Sequence, residues 1–236
     1  MSTKQINETK QPEGTAIKEK AGEVREEPLT KEEIIAKLVN PTPKLWGRWD
    51  WTEVKVRDPG LVRYICLKPV YVPHTYGRHA KYPFGKAEVP IVERLINRLM
   101  APGREGGTPK SGHVSGKKLH AMRIVYQAFE MIEKRTGQNP IQVLVRAVEN
   151  TAPREDSIAM RVGGIIRRFA VDLSPQRRVD TALKLLVTAA RQRAWRKPLS
   201  LAECLAEEII LAARNSPESL AIKKKMEIER IAEASR

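Results

Sequence analysis

Basic side chains at helical spacing are the clearest sign of chemistry in this sequence. Arg177, Lys184 and Arg191 follow one another at seven-residue intervals, which places them within about 40° of one another on a helix surface. Asp180 is the one acidic residue between Arg177 and Arg191 that could compensate their charge. Because a merely solvated face carries interleaved charges of both signs, this stripe predicts contact with phosphate groups.

A second basic segment, residues 74–86, interleaves cations with aromatic and turn-forming residues. His74 and His79 lie five residues apart, but no second pair of histidines or cysteines follows at the spacing of a zinc site. Further along, residues 112–118 have three residues between glycines where a nucleotide-binding P-loop needs four, and no serine or threonine follows the lysines. We therefore interpret residues 74–86 as a loop that contacts phosphates, and reject a nucleotide site.

Residues 156–175 predict a β-hairpin that projects as an arm. Two β-compatible runs flank Gly163 and Gly164, and both residues of such a loop need positive φ. The expected cross-strand pairs are Val162–Ile165, Arg161–Ile166, Met160–Arg167, Ala159–Arg168 and Ile158–Phe169. Arg161 and Arg168 are then diagonal neighbours of like charge, which repel unless an anion lies between them. An isolated hairpin is marginal in water, so we expect a negative partner; a hairpin folded onto its own core is the alternative.

The charge balance also points to a polyanionic partner. The 236 residues carry 43 basic and 28 acidic side chains, a net charge of +15. Residues 73–123 hold 10 basic against 3 acidic side chains, and residues 154–197 hold 11 against 4. So much like charge destabilises an isolated compact chain, and the two blocks predict a binding surface. Aromatic content of 5% argues against a large platform for stacking single-stranded bases.

Several classes of protein are disfavoured. The sequence has no apolar run of about 18 residues and no signal peptide, so we expect neither a membrane protein nor a secreted one. Cys66 and Cys204 are far apart and lack partners at metal spacing, which predicts a reduced, cytoplasmic setting. No Ser-His-Asp order, carboxylate pair or metal-ligand cluster emerges. The sequence therefore predicts no enzyme activity, no metal and no cofactor.

The chain begins with a predicted N-terminal extension. Residues 1–28 are polar and nearly free of large apolar side chains, so we expect them to be flexible. Residues 29–83 form a second, loop-rich part. Within it, a capping box from Thr30 to Glu33 opens a short helix that Asn40-Pro41 ends.

Two further features of residues 29–83 concern packing. Residues 53–56 and 61–67 are candidate short strands that pair across a turn. Trp46, Trp49 and Trp51 lie close together in sequence. We expect them to pack a small satellite core, with stacking on bases as the alternative.

Residues 84–236 are predicted to form the helical core. Apolar residues at three- and four-residue spacing, with capping residues and prolines at the starts, mark about six helices. They cover residues 88–100, 117–135, 140–153, 175–196 and 201–215, followed by a last helix that begins at Ser216-Pro217. An exposed insertion occupies residues 101–116, and the arm occupies about 156–173. The predicted class is mainly α, a helical bundle with a protruding two-stranded β-hairpin arm and a loop-rich N-terminal extension.

Each helix carries an apolar stripe that predicts its buried face. In the helix ended by Gly137 the stripe is Leu119, Met122, Tyr126, Phe129 and Ile132; in the next it is Ile141, Leu144, Val145 and Val148; after the arm it is Val179, Leu183, Leu186, Val187 and Ala190. Lys117, Lys118 and Arg123 cluster at a helix N-terminus. Cations there oppose the helix dipole unless an anion is bound.

The sequence resembles the family of small-subunit ribosomal protein seven, the universal head protein, in its archaeal and eukaryotic branch. The resemblance covers roughly residues 88–236. It is carried by Leu95–Met100, Gly116-Lys117-Lys118, Arg123–Tyr126, Ala128, Thr136-Gly137, Pro140, Ala147, Glu149-Asn150, Pro153, Arg161–Gly164, Arg177-Arg178, Ala189–Arg191, Ala202, Leu205-Ala206, Glu208, Lys223-Lys224 and Ala232–Ala234. The insertion 101–115 and the part before about residue 84 depart from the bacterial pattern.

The resemblance implies a structural protein that binds the 3′ major domain of small-subunit ribosomal RNA and organises assembly of the head. It also implies that the hairpin reaches toward the exit-site tRNA and the mRNA exit path, and that a late helix faces ribosomal protein eleven. Phosphates would be held by Lys117, Lys118, Arg123, Arg177, Arg178, Lys184 and Arg191. The same blocks add Arg78, Lys81, Lys86, Arg94, Arg98 and Arg193 to the predicted set. The arm would present Arg161, Val162, Gly163 and Gly164 at its tip near tRNA, with Arg167 and Arg168 at its base.

Two other classes compete with this hypothesis. A helical DNA-binding regulator would need base-reading side chains at the start of a recognition helix and usually a dimer seam, and neither is evident. An RNA-modifying enzyme would need a nucleotide, metal or acid–base constellation, which the sequence does not supply. Few aromatics and no RNA-recognition signature favour recognition of folded RNA shape.

Overall fold

The computed structural model describes residues 42–101, 103–105, 108–111, 115–195 and 197–236. The extension of residues 1–28 and the short helix expected after Thr30 lie outside these residues. Within the described chain the structure is mainly helical, and the predicted class, a helical bundle with a β-hairpin arm, is confirmed.

Six α-helices and two short antiparallel hairpins make up the described chain. The helices are α1 Ile91–Met100, α2 Lys118–Thr136, α3 Pro140–Thr151, α4 Pro175–Ala194, α5 Leu201–Ala213 and α6 Leu220–Glu233. The strands are β1 Gly103–Glu105, β2 Thr108–Ser111, β3 Glu155–Val162 and β4 Ile165–Asp172. Two 3₁₀ turns, Arg78–Lys81 and Gly85–Glu88, precede α1. None of the described helices is long and apolar enough to span a membrane.

Helix α5 lies at the centre of the bundle. Its Leu205, Ala206 and Ile209 side chains are fully buried, and it packs against α2, α3 and α4. A helix that is apolar on most sides can only be accommodated inside such a layer of neighbours. This central position fixes where the outer faces of α2 and α4, which carry basic residues, meet solvent.

The predicted apolar stripes of α3 and α4 are confirmed, since every residue named in them is buried. The stripe of α2 is wrong at one position, because Leu119 is 81% exposed. Leu119 lies in the first turn of α2, and the buried face is formed by Ala121, Ile124, Val125, Ala128, Phe129 and Ile132 together with Met122.

Three of the six described helices begin at a side-chain cap. Asn139 Oδ1 accepts a hydrogen bond from the Ile141 amide at 3.1 Å, and Ser200 and Glu203 form a reciprocal capping box. Ser174, however, makes no side-chain cap before Pro175. The last helix also begins later than predicted: Ser216-Pro217 lies in a turn, and Ser219 caps the helix by accepting from the Ile222 amide.

The short strands predicted over residues 53–56 and 61–67 are wrong, because these residues form turns and irregular chain. Side chains of α3 bind their backbone instead. Gln142 Oε1 accepts from the Lys55 amide at 2.8 Å, and Glu149 Oε1 accepts from the Arg57 amide at 2.6 Å. Because the Lys55 and Arg57 amides are bonded to helix side chains, these residues do not need a partner strand to satisfy their backbone.

The tryptophans pack, as predicted, but into the main core rather than a satellite. Trp46 and Trp49 lie edge-on to Phe129 of α2, with ring centroids 6.2 and 5.6 Å away. Trp49 and Trp51 are each only 3% exposed. The aromatic cluster therefore attaches the N-terminal part of the described chain to the helical bundle.

The arm has the predicted register, from Glu155–Asp172 at its base to Val162–Ile165 at its tip. Gly163 and Gly164 have φ of 59° and 85°, the conformation that a two-residue hairpin loop requires. Helix α6 holds the base, because Glu229 Oε1 accepts from the Arg154 amide at 3.1 Å and Arg236 forms an ion pair with Glu155. The insertion forms a second hairpin, β1–β2, which the sequence did not indicate.

Candidate nucleic-acid interface

The two basic segments of the sequence meet at one surface, where the 78–88 loop and α1 lie against α4. Lys86 Nζ and Arg94 Nη2 bind opposite oxygens of Asp180 on α4, at 2.8 and 2.9 Å. Further along α4, Arg191 Nη2 donates to the carbonyl of Leu99 at 2.5 Å. Residues more than 80 positions apart in sequence therefore share this surface, which we call the basic face.

Asp180 fastens the basic face together. Burial raises the pKa of its carboxyl, but hydrogen bonds from Lys86 and Arg94 outweigh burial and hold the pKa below its ordinary value. The carboxylate is therefore ionised at neutral pH and compensated by two cations. Asp180, the one acidic residue of the predicted stripe, is thus paired with Lys86 and Arg94 and does not compensate the basic residues of the stripe itself.

The side chains of Arg98, Arg177 and Lys184 in the basic face have no hydrogen-bonded or carboxylate partner among the described residues. Arg177 and Lys184 are exposed on α4, and Arg98 is half-buried at the end of α1. Burial, and next the charge of Arg98, lower the pKa of the Arg191 guanidinium. Like charges crowded in this way are relieved when an anion binds between them.

The 78–88 loop extends the basic face. Arg78 and Lys81 are exposed, and Lys86 keeps half of its side chain in solvent despite its bond to Asp180. The Arg78 guanidinium lies 5.9 Å from the centre of the Tyr76 ring. The loop therefore adds exposed cations to the surface that α1 and α4 form.

The N-terminus of α2 borders the same loop. Lys118 Nζ binds the buried Glu93 Oε1 at 2.7 Å and lies 3.3 Å from His74 Nδ1. Burial raises the pKa of Glu93, but hydrogen bonds from Lys118 and Thr75 bring it below its ordinary value. Lys117, just before α2, and Arg123, in its second turn, are exposed, which keeps them available to an anion.

Four predicted phosphate-binding residues are instead engaged inside the fold. Each neutralises a carboxylate that the bundle partly or fully buries: Arg94 pairs with Asp180, Lys118 with Glu93, Arg178 with Asp58 at 3.0 Å, and Arg193 with Glu208 at 2.7 Å. Arg94 is only 3% exposed. A guanidinium or ammonium held in this way would leave a buried charge behind if it turned to a phosphate, so we leave these four out of the basic face.

The arm carries its own cations. Arg161, Arg167 and Arg168 are exposed along its length, and the register makes Arg161 and Arg168 diagonal neighbours as expected. Arg167 and Arg168 pair with Met160 and Ala159, so they lie in the half of the arm nearer its tip and not at its base as predicted. Several apolar side chains of the arm are exposed as well, among them Ile166 at 67% and Phe169 at 40%. The arm does not fold back onto the core, so the alternative of an ordinary core hairpin is disfavoured.

Sequence reasoning missed the acidic partners, and it noted the aromatic residues of segment 74–86 without assigning them a role. Glu208 is three residues after Leu205 and four before Ala212, so helical spacing places it on a buried stripe and was an available signal. Tyr82 and Phe84 are 73% and 80% exposed. Among the residues described, no three His, Cys, Asp or Glu side chains lie close enough to hold a metal ion.

Comparison with known proteins assigns the chain to a family. Residues 61–236 match the model of the family described as ribosomal protein S7p/S5e. A relative from Nanoarchaeum equitans, the small ribosomal subunit protein uS7, is 52% identical over 195 residues, which is 82% of this chain and 98% of the relative. The chain therefore belongs to the small-subunit ribosomal protein S7 family and is a structural, non-enzymatic component of the small subunit of the cytoplasmic ribosome.

Proposed function

We propose that this protein binds the 3′ major domain of small-subunit ribosomal RNA through the basic face and thereby organises assembly of the subunit head. The contacts come from Arg78, Lys81, Lys86, Arg98, Lys117, Arg123, Arg177, Lys184 and Arg191. The arm, with Arg161 to Gly164 at its tip and Arg167 and Arg168 behind them, reaches toward the exit-site tRNA and the mRNA exit path. A late helix faces ribosomal protein eleven.

The observation that carries the proposal is the meeting of the 78–98 segment with α4. Asp180 joins Lys86 to α4 at 2.8 Å, while Arg98, Arg177 and Lys184 remain without carboxylate partners in the described chain. A row of basic residues on one helix is often only a solvated face. When basic residues from distant segments of the chain lie beside that row, they form an extended positive surface suited to binding phosphates. Phosphate contacts of this kind supply most of the affinity and make it depend steeply on salt.

The rigidity of the basic face favours recognition of a folded RNA shape. Arg123, Arg177, Lys184 and Arg191 stand on α2 and α4, which pack against α5, and Arg98 stands on α1, which packs against α2 and α4. The spacing of these cations is therefore set before RNA arrives. A-form RNA is recognised mainly through its phosphates and shape, since side chains cannot read its deep major groove. Pre-set phosphate contacts therefore select an RNA by the positions of its phosphates rather than by base sequence.

The test is binding of the purified chain to the isolated 3′ major domain, compared with an unrelated RNA of equal length, across a salt series. We expect tight binding to the domain that persists at moderate salt and weak, salt-sensitive binding to the unrelated RNA. Equal affinity for both RNAs, collapsing together as salt rises, would refute selective recognition. Duplex DNA serves as a third probe, and preference for it would support a DNA-binding regulator instead.

Removal of the arm tests its separate role. Replacing residues 157–170 with a short glycine-serine linker is expected to leave affinity for the 3′ major domain within about twofold, because the basic face stays intact. Reconstituted subunits carrying this variant should bind exit-site tRNA more weakly. The measurement pairs a filter-binding assay on the RNA domain with tRNA binding to the subunit, and a large loss in the first assay would make the arm an anchor.

A further inference from the structure

Aromatic side chains are concentrated and exposed in residues 76–88, which comprise the 78–88 loop and the two residues before it. Tyr76, Tyr82 and Phe84 are 75%, 73% and 80% exposed, although the whole chain holds only five tyrosines and three phenylalanines. Rings of this size usually bury most of their surface in a core or an interface. Their exposure together, on one short loop, indicates a surface that receives a partner.

The backbone at two of these aromatic residues has an unfavourable conformation. Tyr76 and Phe84 have φ of 53° and 59°, the left-handed region that bulky residues avoid. Gly85 secures the arrangement, because a Cβ at this position would lie 2.4 Å from the carbonyl oxygen of His79. Strain of this kind persists where the surrounding structure enforces it, and it concentrates at binding sites.

Behind the rings lies an open cavity of about 400 Å³ between the loop and the start of α4. Tyr82, Phe84 and Lys86 of the loop line it together with Gln176 and Arg177 of α4. The Gln176 Oε1 atom is buried and has no hydrogen-bond partner in the described structure. The volume falls in the range of small-ligand sites, about 300–1,000 Å³, and the lining supplies ring faces, cations and an amide.

We infer that this loop is a stacking site for an unpaired nucleotide of the bound RNA. The base lies against Tyr82 and Phe84, its edge meets the Gln176 amide, and the adjoining phosphates meet Arg177 and Lys86. This inference rests on the proposed RNA-binding function and adds to it a preference for an unpaired base. The low aromatic content of the chain argued against a large stacking platform, but a local site needs only the rings that this loop holds.

The charges of the cavity favour a nucleotide over an apolar or cationic partner. Lys86 and Arg177 line the cavity beside Tyr82 and Phe84. Arg78 lies 5.9 Å from the centre of the Tyr76 ring, and the exposed Lys81 directly precedes Tyr82. Asp180, which also lines the cavity, is already compensated by Lys86 and Arg94. Rings bordered by cations are the usual arrangement for binding unpaired nucleic acid, because every base has a face to stack and every linkage has a phosphate.

The experiment uses the full chain carrying Tyr82→Leu and Phe84→Leu together, which keeps apolar bulk and removes the ring faces. The probes are a single-stranded adenosine oligonucleotide of about ten nucleotides, an abasic strand of equal length, and a blunt RNA duplex. We expect affinity for the adenosine strand to fall roughly 10-fold or more. Affinity for the abasic strand and the duplex should not change, and the salt dependence should keep its slope.

Tyr71→Leu is the matched control, because Tyr71 is an exposed ring, at 57%, outside the loop. Circular dichroism and the thermal midpoint verify that both variants fold. Unchanged affinity of the double variant for the adenosine strand would overturn the inference, as would an equal loss on the abasic strand. Selective binding of the 3′ major domain by the wild-type chain, measured in parallel, decides the proposed function independently of the stacking site.

Discussion

Replacing Arg98, Arg177 and Lys184 together with alanine is expected to weaken binding of the 3′ major domain on the order of 100-fold at 0.1 M salt. Each lost phosphate contact removes about 0.7–0.9 from the slope of log affinity against log salt, so the triple variant should lose about two in slope. The three side chains have no carboxylate partner in the described chain, so their removal leaves no buried charge behind. The measurement is RNA binding from about 50 to about 200 mM salt.

A second triple variant separates local contact from net charge. Lys134, Arg214 and Arg230 are exposed and lie outside the basic face, and their replacement by alanine lowers the net charge by the same amount. We expect that variant to bind the 3′ major domain nearly as the wild type does. If both triple variants lose equal affinity and slope, the protein binds RNA through its overall charge and the basic face has no special role.

Arg177, which belongs to the basic face, and Arg178, which does not, provide the sharpest comparison, because they are adjacent and chemically identical. Arg177 is exposed, whereas Arg178 is paired with Asp58 and has only 13% of its side chain exposed. The sequence alone predicted a phosphate contact for both. In the structure the Arg178–Asp58 ion pair joins α4 to the segment before α1. Loss of Arg178 should therefore lower the free energy of unfolding, whereas loss of Arg177 should flatten the dependence of RNA affinity on salt.

Replacing Glu208 with alanine is expected to lower the free energy of unfolding by about 3–5 kcal/mol. Glu208 is fully buried in α5. It accepts hydrogen bonds from Arg193 Nε at 2.7 Å, Ser219 Oγ at 2.5 Å and the Ala221 amide at 2.9 Å. Alanine would leave a guanidinium and two neutral donors without their acceptor, and the start of α6 would lose its anchor.

Urea and thermal unfolding measure this loss. For a chain of this size the expected shift of the thermal midpoint is roughly 6–20 °C. Glu207→Ala is the control, because Glu207 is partly exposed and lies 3.4 Å from Arg135, a pair worth at most about 1 kcal/mol. Equal effects of the two substitutions would show that the buried carboxylate does not hold α6 to the bundle.

The features that the sequence specified are those with short-range causes. Gly163-Gly164 determines the turn, and the turn determines the register of the whole arm. Apolar spacing and caps likewise gave the buried faces of α3 and α4. Where a signal was ambiguous the prediction was wrong: Leu119 continues an apolar spacing but lies in an exposed first turn, and Ser216-Pro217 resembles a helix start although Ser219 makes the cap.

The parts that could not be predicted depend on distant partners. Nothing local to Arg178 indicates that Asp58, 120 residues earlier, will meet it. The same holds for Arg193, whose acidic partner lies on another helix. A count of basic residues therefore overstates the cations available to RNA, because the fold uses some of them to compensate its own carboxylates. The family assignment did not depend on these details, since its motifs span most of the helical core.

The arm also affects how the free protein behaves before assembly. Its outer backbone edges pair with no further strand of the described chain, and such edges can template aggregation between copies. Glu155, Asp156 and Asp172 lie at its base, whereas Arg161, Arg167 and Arg168 lie toward its tip. Two arms approaching tip to tip would bring arginines together and repel. The arginines proposed to lie near tRNA would therefore also oppose tip-to-tip association of unassembled copies.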